Sequence, residues 1–321
     1  VLAQYNEEEN KVAVVSAESI SSDGVKDGVV IAIPEASKTV QQLIKKLEKD
    51  NEAKVGKIIA SVRGSLIEVF NSDAEVKMPE NDTEVREDTI QDIMEKIEDI
   101  KRIGDNQEII DIIPIEYILD DQGGIQSPIG MKCKYLDLHA LVVVATKTNM
   151  ENIRSSVDDD NLQLHYGYSS IGDMLVSKED KELGSILIDI GGMTTGVVVY
   201  LDGKIKYAFE LQMGSDYITR DIVKKLRVSQ REAKKIKENY GVILEELIQE
   251  NEEFEYTIAG VKQQTCTKMQ LTEIIKPQVD LQIDQIYKAL KKKNIEIDML
   301  AGGIILTGGG SMMQGMVDAF E

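Results

Sequence analysis

Tryptophan is absent from these 321 residues, and aromatic side chains make up only 5% of them. Any core must therefore be aliphatic, built from Val, Ile and Leu. There are two cysteines, Cys133 and Cys266, far apart in the chain. That excludes a disulfide scaffold and suits a reducing compartment. The two histidines, His139 and His165, do not form a metal set, and neither cysteine has ligand spacing around it, which removes the zinc-site reading. The longest apolar runs, such as Leu141 to Ala145, are far short of the ~18 residues of a spanning helix. No charged stretch followed by an apolar one opens the chain, as a signal peptide requires. A Gly-x-Ser-x-Gly elbow, a Walker loop and a Gly-x-Gly-x-x-Gly after a strand are all missing. Hydrolase-triad, P-loop and Rossmann readings are therefore disfavoured.

What is present is size and negative charge. Thirty-seven Lys and Arg stand against 57 Asp and Glu, a net charge of −20. A field of that sign repels nucleic-acid phosphates. A hydrophobic fraction of 42% and a charged fraction of 29% are those of a soluble globular protein. The length suits about two domains.

Short extended pieces open the chain. Val12, Val14 and Ser16 point one way and Ala13, Val15 and Ala17 the other, which predicts a strand buried on both faces. Asp23-Gly24 and Asp27-Gly28 supply turns. Val40, Leu43, Ile44 and Leu47 predict a helix over 35–50. Strands follow over Lys57 to Phe70, and polar residues 72–86 with Pro79 read as a linker. Ile90, Ile93, Met94, Ile97 and Ile100 predict a helix over 87–102. Two strands follow, around a Gly123-Gly124 turn, and then a helix at 149–157. From 184 the pattern becomes parallel α/β: strands at 185–190, 196–201 and 205–211, with a hairpin turn at Asp202-Gly203. Helices are expected at about 215–226 and 229–239, the second opened by Ser229 and Glu232 as a capping box. A long helix with Pro277 spans about 270–293, and the last strand, 302–307, runs into Gly308-Gly309-Gly310. Met312, Met313 and Met316 read as core at helical spacing.

Three features carry chemistry. In Asp189-Ile190-Gly191-Gly192-Met193-Thr194-Thr195 an apolar strand ends in a carboxylate, a tight turn and hydroxyls. A bare Gly-Gly suits a plain hairpin turn. The upstream Asp189 and downstream Thr194 and Thr195 shift the reading to a phosphate cradle with backbone N–H donors. Asp189 there holds a hydrated Mg²⁺ or orients a water. The second feature is the strand running into Gly308, Gly309 and Gly310, where the backbone can approach a base or phosphate closely. The third is Arg220 to Lys237, with eight cations against Asp221 and Glu232 alone. A charge run is usually a solvated face; its reversal of the chain's sign also fits an anionic ligand or acidic peptide.

An Asp-Ile-Gly-Gly turn, then a helical lobe, then Leu-Thr-Gly-Gly-Gly resembles the order of the actin-like ATPase superfamily, and within it the FtsA family of bacterial division proteins. GVKDGVVIAI (24–33), SVRGSLIEVFNS (61–72), MGSDYITRDIVKKL (213–226) and AKKIKENYG (233–241) are similar to family segments. Residues 109–146 resemble the family's inserted subdomain, called 1C. The resemblance implies an α/β actin-like fold of two lobes that clamp ATP with Mg²⁺. It implies subdomain 1A over 1–80 and 151–206, with 1C at 81–150. It further implies 2A over 207–228 and 302–321, and 2B over 229–301. The nucleotide contacts implied are Asp189 (also the catalytic and metal residue), Gly191, Gly192, Thr194, Thr195, Gly214, Lys234, Lys237, Gly308, Gly309 and Gly310. The loops near 189 and 308 are expected to face each other across a cleft. The family's first phosphate hairpin is not found, so the chain is expected to be incomplete at its N-terminus, and at its C-terminus too, where the family carries an amphipathic membrane helix. Met193 stands where a third Gly is usual, Gly196 where an Asp is usual, and Lys234 where an acidic ribose contact tends to be. These departures imply nucleotide binding with at most slow hydrolysis.

The function implied is a polymerising adaptor that self-associates through 1C. It would link the tubulin-like FtsZ to the inner face of the cell membrane at the division site and recruit later division proteins. The FtsZ tail would land on 2B, with the basic segment 220–237, Lys288 and Lys291 to Lys293 receiving its acidic residues. The alternative is a PilM-like part of a pilus or secretion platform. A true phosphotransferase or chaperone ATPase is the third reading, distinguished by fast phosphate release.

Overall fold

Alternation in the sequence and the position of glycines account for most of the architecture, beginning with the first unit, Val1–Gly167. The computed structural model describes residues 1–6, 11–26, 28–64, 66–99, 103–249, 252–258 and 262–321; Asp27 and Ile100 of the sequence reading lie outside them. Strands β1 (Leu2–Asn6) and β2 (Lys11–Ser16) form an antiparallel hairpin. It is not buried on both faces as expected: Val12 and Val14 are 67% and 69% exposed. The apolar run predicted burial, but among the described residues β2 pairs only with β1. Short strands β3 (Val25–Lys26) and β4 (Val29–Val30) pair with each other. Helix α1 (Ile33–Asp50) starts with Pro34 in its first turn, where proline's missing N–H costs nothing, and turns Ala36 and Leu47 inward. Strand β5 is Ile58–Val62.

Strand β6 spans Ile67–Lys77, so residues 72–77 are not linker. Ser72, Ala74 and Val76 point inward while Asp73, Glu75 and Lys77 point out, a period of two hidden under polar composition. After α2 (Glu87–Glu98), β7 (Gln107–Leu119), β8 (Gln122–Ile125) and β9 (Tyr135–Thr146) complete a sheet in the order β6-β9-β7-β8. The inserted module thus begins at β6, not at residue 81, because β6 pairs with β9 along its whole length. The turn between β7 and β8 is Asp120-Asp121, both at positive φ, and Gly123-Gly124 lie inside β8. Asp tolerates the left-handed region, and the Asp120 carboxylate accepts from the backbone N–H groups of Lys134 and Tyr135. Helix α3 (Lys147–Val157) packs on α1, and β10 (Leu162–Tyr166) runs parallel to β5.

The second unit is Tyr168–Glu321. Its helices α4 (Gly167–Leu175) and α5 (Lys178–Leu183) precede β11 (Ser185–Ile190), β12 (Thr195–Leu201) and β13 (Lys204–Leu211). These three form an antiparallel meander, closed at Asp202-Gly203 with both residues at positive φ, as a type I′ turn requires. Helices α6 (Ser215–Leu226) and α7 (Gln230–Tyr240) follow. Next comes a hairpin, β14 (Glu253–Ile258) and β15 (Lys262–Thr267), where no strand was expected. Helix α8 (Lys268–Lys292) carries Pro277 inside it, and β16 (Gly303–Thr307) runs parallel to β11. The sheet order is β13-β12-β11-β16.

That pairing corrects two expectations. Residues 185–206 belong with the second unit's sheet, not with the lobe before it, because β11 and β12 pair with β13 and β16. The turns after β11 and β16 are neighbours on one sheet edge rather than opposed loops: Asp189 is in register with Thr307. Gly309–Met312 form a 3₁₀ turn rather than the start of a helix. Met316 is buried as core, but Met312 is 84% exposed. No described helix is long and apolar enough to cross a membrane.

Candidate functional site

Strand β11 is buried at all six positions, the mark of a strand covered on both faces. Its C-terminal edge is where the sheet stops and polar groups begin. In the turn that follows, Gly191 N–H donates to the Thr194 carbonyl. The N–H groups of Gly192, Met193 and Thr194, and the Thr194 hydroxyl, donate to no protein acceptor among the described residues. Successive unspent N–H groups form an anion-binding concavity.

Helix α6 is fastened onto this turn. Ser215 N–H donates to the Gly191 carbonyl and Asp216 N–H to the Gly192 carbonyl, at 2.9 and 2.8 Å. The contact requires glycine at 214: a Cβ there would lie 2.4 Å from the Gly192 oxygen and 2.7 Å from that of Gly191. The helix N-terminus, with its partial positive charge, is held against the turn.

Behind the turn lies a buried polar relay. Thr195 is fully buried; its Oγ1 donates to the Met213 carbonyl at 2.6 Å and accepts from Gln282 Nε2 at 2.6 Å. The Thr195 hydroxyl is therefore engaged inside the protein and is not a phosphate donor, which corrects its assignment from the sequence. Only Thr194 faces outward with a hydroxyl to give. Gln282, buried on α8, was missed because a lone Gln in an amphipathic helix carries no motif. Lys237 reaches in from α7, is 8% exposed, and its ammonium donates to the Ser215 carbonyl at 2.9 Å. Burial pushes its pKa below the usual lysine value, opposed by the nearby carboxylate of Asp216. Lys234, assigned to the nucleotide alongside it, instead lies on the solvent face, 3.8 Å from Glu238.

The second turn closes on the first. Gly308 has φ +86°, and a Cβ there would lie 2.3 Å from Asp189 Oδ1 and 2.6 Å from the Ile190 carbonyl oxygen. The carboxylate of Asp189, itself buried, is thus turned toward Gly308. A Cβ at Gly310 would strike Ile190, whereas Gly309 has open space. Gly191, Gly192, Thr194, Gly214, Lys237, Gly308, Gly309, Gly310 and Asp189 all gather at this one edge. No group of three or more metal-ligating side chains occurs among the described residues. The donor set suits Mg²⁺, which keeps most of its water and is bound by one or two carboxylates together with phosphate oxygens. Gly196, where a carboxylate is usual, has no room for one: a Cβ would lie 2.0 Å from the ring of Tyr168.

The basic segment is the surface of α6 and α7. Seven of its eight cations are exposed, and Lys237 alone is buried. Lys291 is sixteen residues beyond Ile275, where α8 meets the end of α7 at Gly241. That is roughly 24 Å along the helix, so the lysines at the end of α8 stand apart from that contact.

Comparison with known proteins agrees with this architecture. A family model described as "Cell division protein FtsA" matches residues 186–321, and one described as "SHS2 domain inserted in FTSA" matches residues 64–144. Cell division protein FtsA of Neisseria meningitidis serogroup B is 29% identical over 337 residues, covering 100% of this chain and 78% of that protein. The FtsA of Streptococcus pneumoniae serotype 2 is 28% identical over 322 residues, covering 99% and 69%. That of Bacillus subtilis is 26% identical over 313 residues, covering 96% and 70%. Among solved structures, a PilM-PilN type IV pilus biogenesis complex matches with TM-score 0.62 at 13% identity, over 99% of this chain and 80% of that one. MreB5 of Spiroplasma citri bound to ADP matches with TM-score 0.51 at 12% identity, over 99% and 79%. These structural likenesses show a shared actin-like fold and no more. Two family models that together span most of the chain, and relatives aligned over nearly all of it, lead to one conclusion: the chain belongs to the FtsA family of cell division proteins.

Proposed function

We propose that this division protein binds ATP at the shared edge of β11 and β16, and that it serves as an adaptor. It would link the tubulin-like FtsZ ring to the cytoplasmic membrane, self-associate through the inserted β6–β9 module, and recruit later division proteins. One observation carries the reading: the basic pair α6–α7 springs directly from the phosphate-ready turn, with α6 seated on Gly191 and Gly192 through Gly214. A ligand that orders the turn is thereby tied to the surface offered to an acidic peptide.

The residues divide the work. Gly192, Met193 and Thr194 would donate backbone N–H groups to phosphate oxygens, and Thr194 its hydroxyl. Gly308 and Gly310 would let the neighbouring backbone approach the rest of the nucleotide. Asp189 would hold a hydrated Mg²⁺, which supplies charge neutralisation to the phosphates when bound. With no carboxylate at 196, the chain's own residues favour holding nucleotide over turning it over.

Titration of an FtsZ C-terminal tail peptide against the full chain tests the adaptor role. Binding should be saturable and should weaken steeply with salt. The pair Lys225→Glu with Arg231→Glu should lower the affinity at least tenfold. Absence of binding with and without ATP would remove the adaptor reading.

A further inference from the structure

A cation stands at the turn that no part of the phosphate cradle described above requires. Arg220, on the second turn of α6, reaches back toward the helix N-terminus. Its Nη2 lies 3.3 Å from Met193 Sδ, and its guanidinium carbon lies 4.9 Å from the ring centroid of Tyr217. Among the described residues it has no carboxylate partner, although acidic residues outnumber basic ones by twenty in the chain. The thioether is a weak acceptor and the ring a soft one. The guanidinium is therefore aimed but not neutralised. It lies against the side chain of Met193, the middle residue of the three whose N–H groups are unspent.

We infer that Arg220 is a binding residue for the outermost phosphate of a nucleoside triphosphate, and that it selects triphosphate over diphosphate. The inference rests on the nucleotide reading of the β11–β16 edge. Direction along that edge supplies the argument. Gly308 and its turn lie on the β16 side, beside Asp189. The N–H groups of Gly192 to Thr194 come next, and Arg220 stands over Met193, at the apex. A nucleotide whose sugar and base occupy the Gly308 side would bring its last phosphate to the apex. A planar five-donor fork suits two phosphate oxygens at once, which an ammonium does not. Met193, which leaves the turn one glycine short of the usual three, acquires a reason: its thioether orients the fork without cancelling the charge, as a carboxylate would.

The test is calorimetric titration of the full chain with a non-hydrolysable ATP analogue and, separately, with ADP. Arg220→Ala should weaken the triphosphate at least tenfold and ADP by less than threefold. Arg220→Lys should retain part of the attraction and lie between. Met193→Leu, which keeps volume but removes the acceptor, should cost about threefold toward the triphosphate only. Arg220 is exposed, so thermal unfolding of the variants should match the wild type. Equal weakening of both nucleotides, or none, would overturn the inference while leaving the nucleotide reading intact. Failure of the wild-type chain to bind either nucleotide would overturn both.

Discussion

The inserted module and the second unit each carry a four-stranded sheet, and the two place their polar atoms in opposite ways. In the module, β9 buries Leu136, Leu138, Ala140, Val142 and Val144 completely. The first part of its other face carries Asp137 and His139, with His139 lying between Glu116 at 3.4 Å and Asp73 at 3.7 Å, before Leu141, Val143 and Ala145 turn that face apolar and buried. Polar groups stay in water and the inner face is wholly apolar. In the second unit, β11 is buried on both faces, and buried polar side chains gather at one edge: Asp189, Thr195, Ser215, Lys237 and Gln282. A buried polar group costs stability unless it is bonded. Thr195, Lys237 and Gln282 are bonded to one another or to backbone around the turn. The module's sheet keeps its polar groups on the outer side; the second unit's sheet holds a cluster of buried polar groups at the edge proposed for the nucleotide.

Four changes would break or sharpen that contrast. The largest effect belongs to the module's core: Leu138→Ala should destabilise by about 2–5 kcal/mol in denaturant unfolding, yet leave nucleotide affinity of the folded fraction unchanged. Loss of affinity along with stability would mean the two sheets are not separate in role. Next is Gln282→Ala, which removes the donor to Thr195 and should cost about 1–3 kcal/mol. Unlike the core variant, it should also weaken ATP-analogue binding, because Thr195 anchors the strand that leaves the turn.

Lys237 yields a pH signature. Its folded pKa lies below the usual 10.5, so the unfolded chain binds the proton more tightly. The cost of burying the charge is present at neutral pH and is relieved as pH rises toward the unfolded value. Measured as a difference from Lys237→Met, wild-type stability should therefore gain as pH rises toward 10.5; a difference that is flat or falls with pH contradicts the buried-cation account. The smallest effect is on the module's outer face. Partial burial first, and the Glu75 carboxylate second, push the Asp137 pKa up, so its charged form is penalised at neutral pH and relieved in acid. Asp137→Asn should stabilise by about 0.5 kcal/mol at pH 7, with the gain vanishing as pH drops below the carboxylate range.

Features written in adjacent residues were legible in the sequence. The glycine turn with its Asp189 and Thr194, the Asp202-Gly203 hairpin and the Ser229 cap are local patterns. Ser229 Oγ indeed accepts from Glu232 N–H at 3.1 Å. What escaped depends on partners distant in the chain. Parallel pairing of β11 with β16 joins residues more than a hundred positions apart. It is what brings the two glycine turns onto one edge and moves residues 185–206 into the second unit. Thr195 and Thr194 look alike in sequence, yet alternation turns one toward Gln282 and the other outward. The β14–β15 hairpin was readable after the fact, since Phe254 is buried between exposed Glu253 and Glu255, but its acidic composition concealed the period.

The central claim is that the turns at Gly191–Thr194 and Gly308–Gly310 together bind a single nucleotide. Its most direct measurement is equilibrium binding of a fluorescent ATP analogue to the full chain and to Gly308→Val, a change that puts side-chain atoms against Asp189 and the Ile190 carbonyl at a backbone angle valine rarely adopts. The account predicts saturable one-to-one binding, displaced by ADP, for the wild type and its loss in Gly308→Val with the module's unfolding unchanged. Equal binding by the two proteins, or none by the wild type, would contradict it.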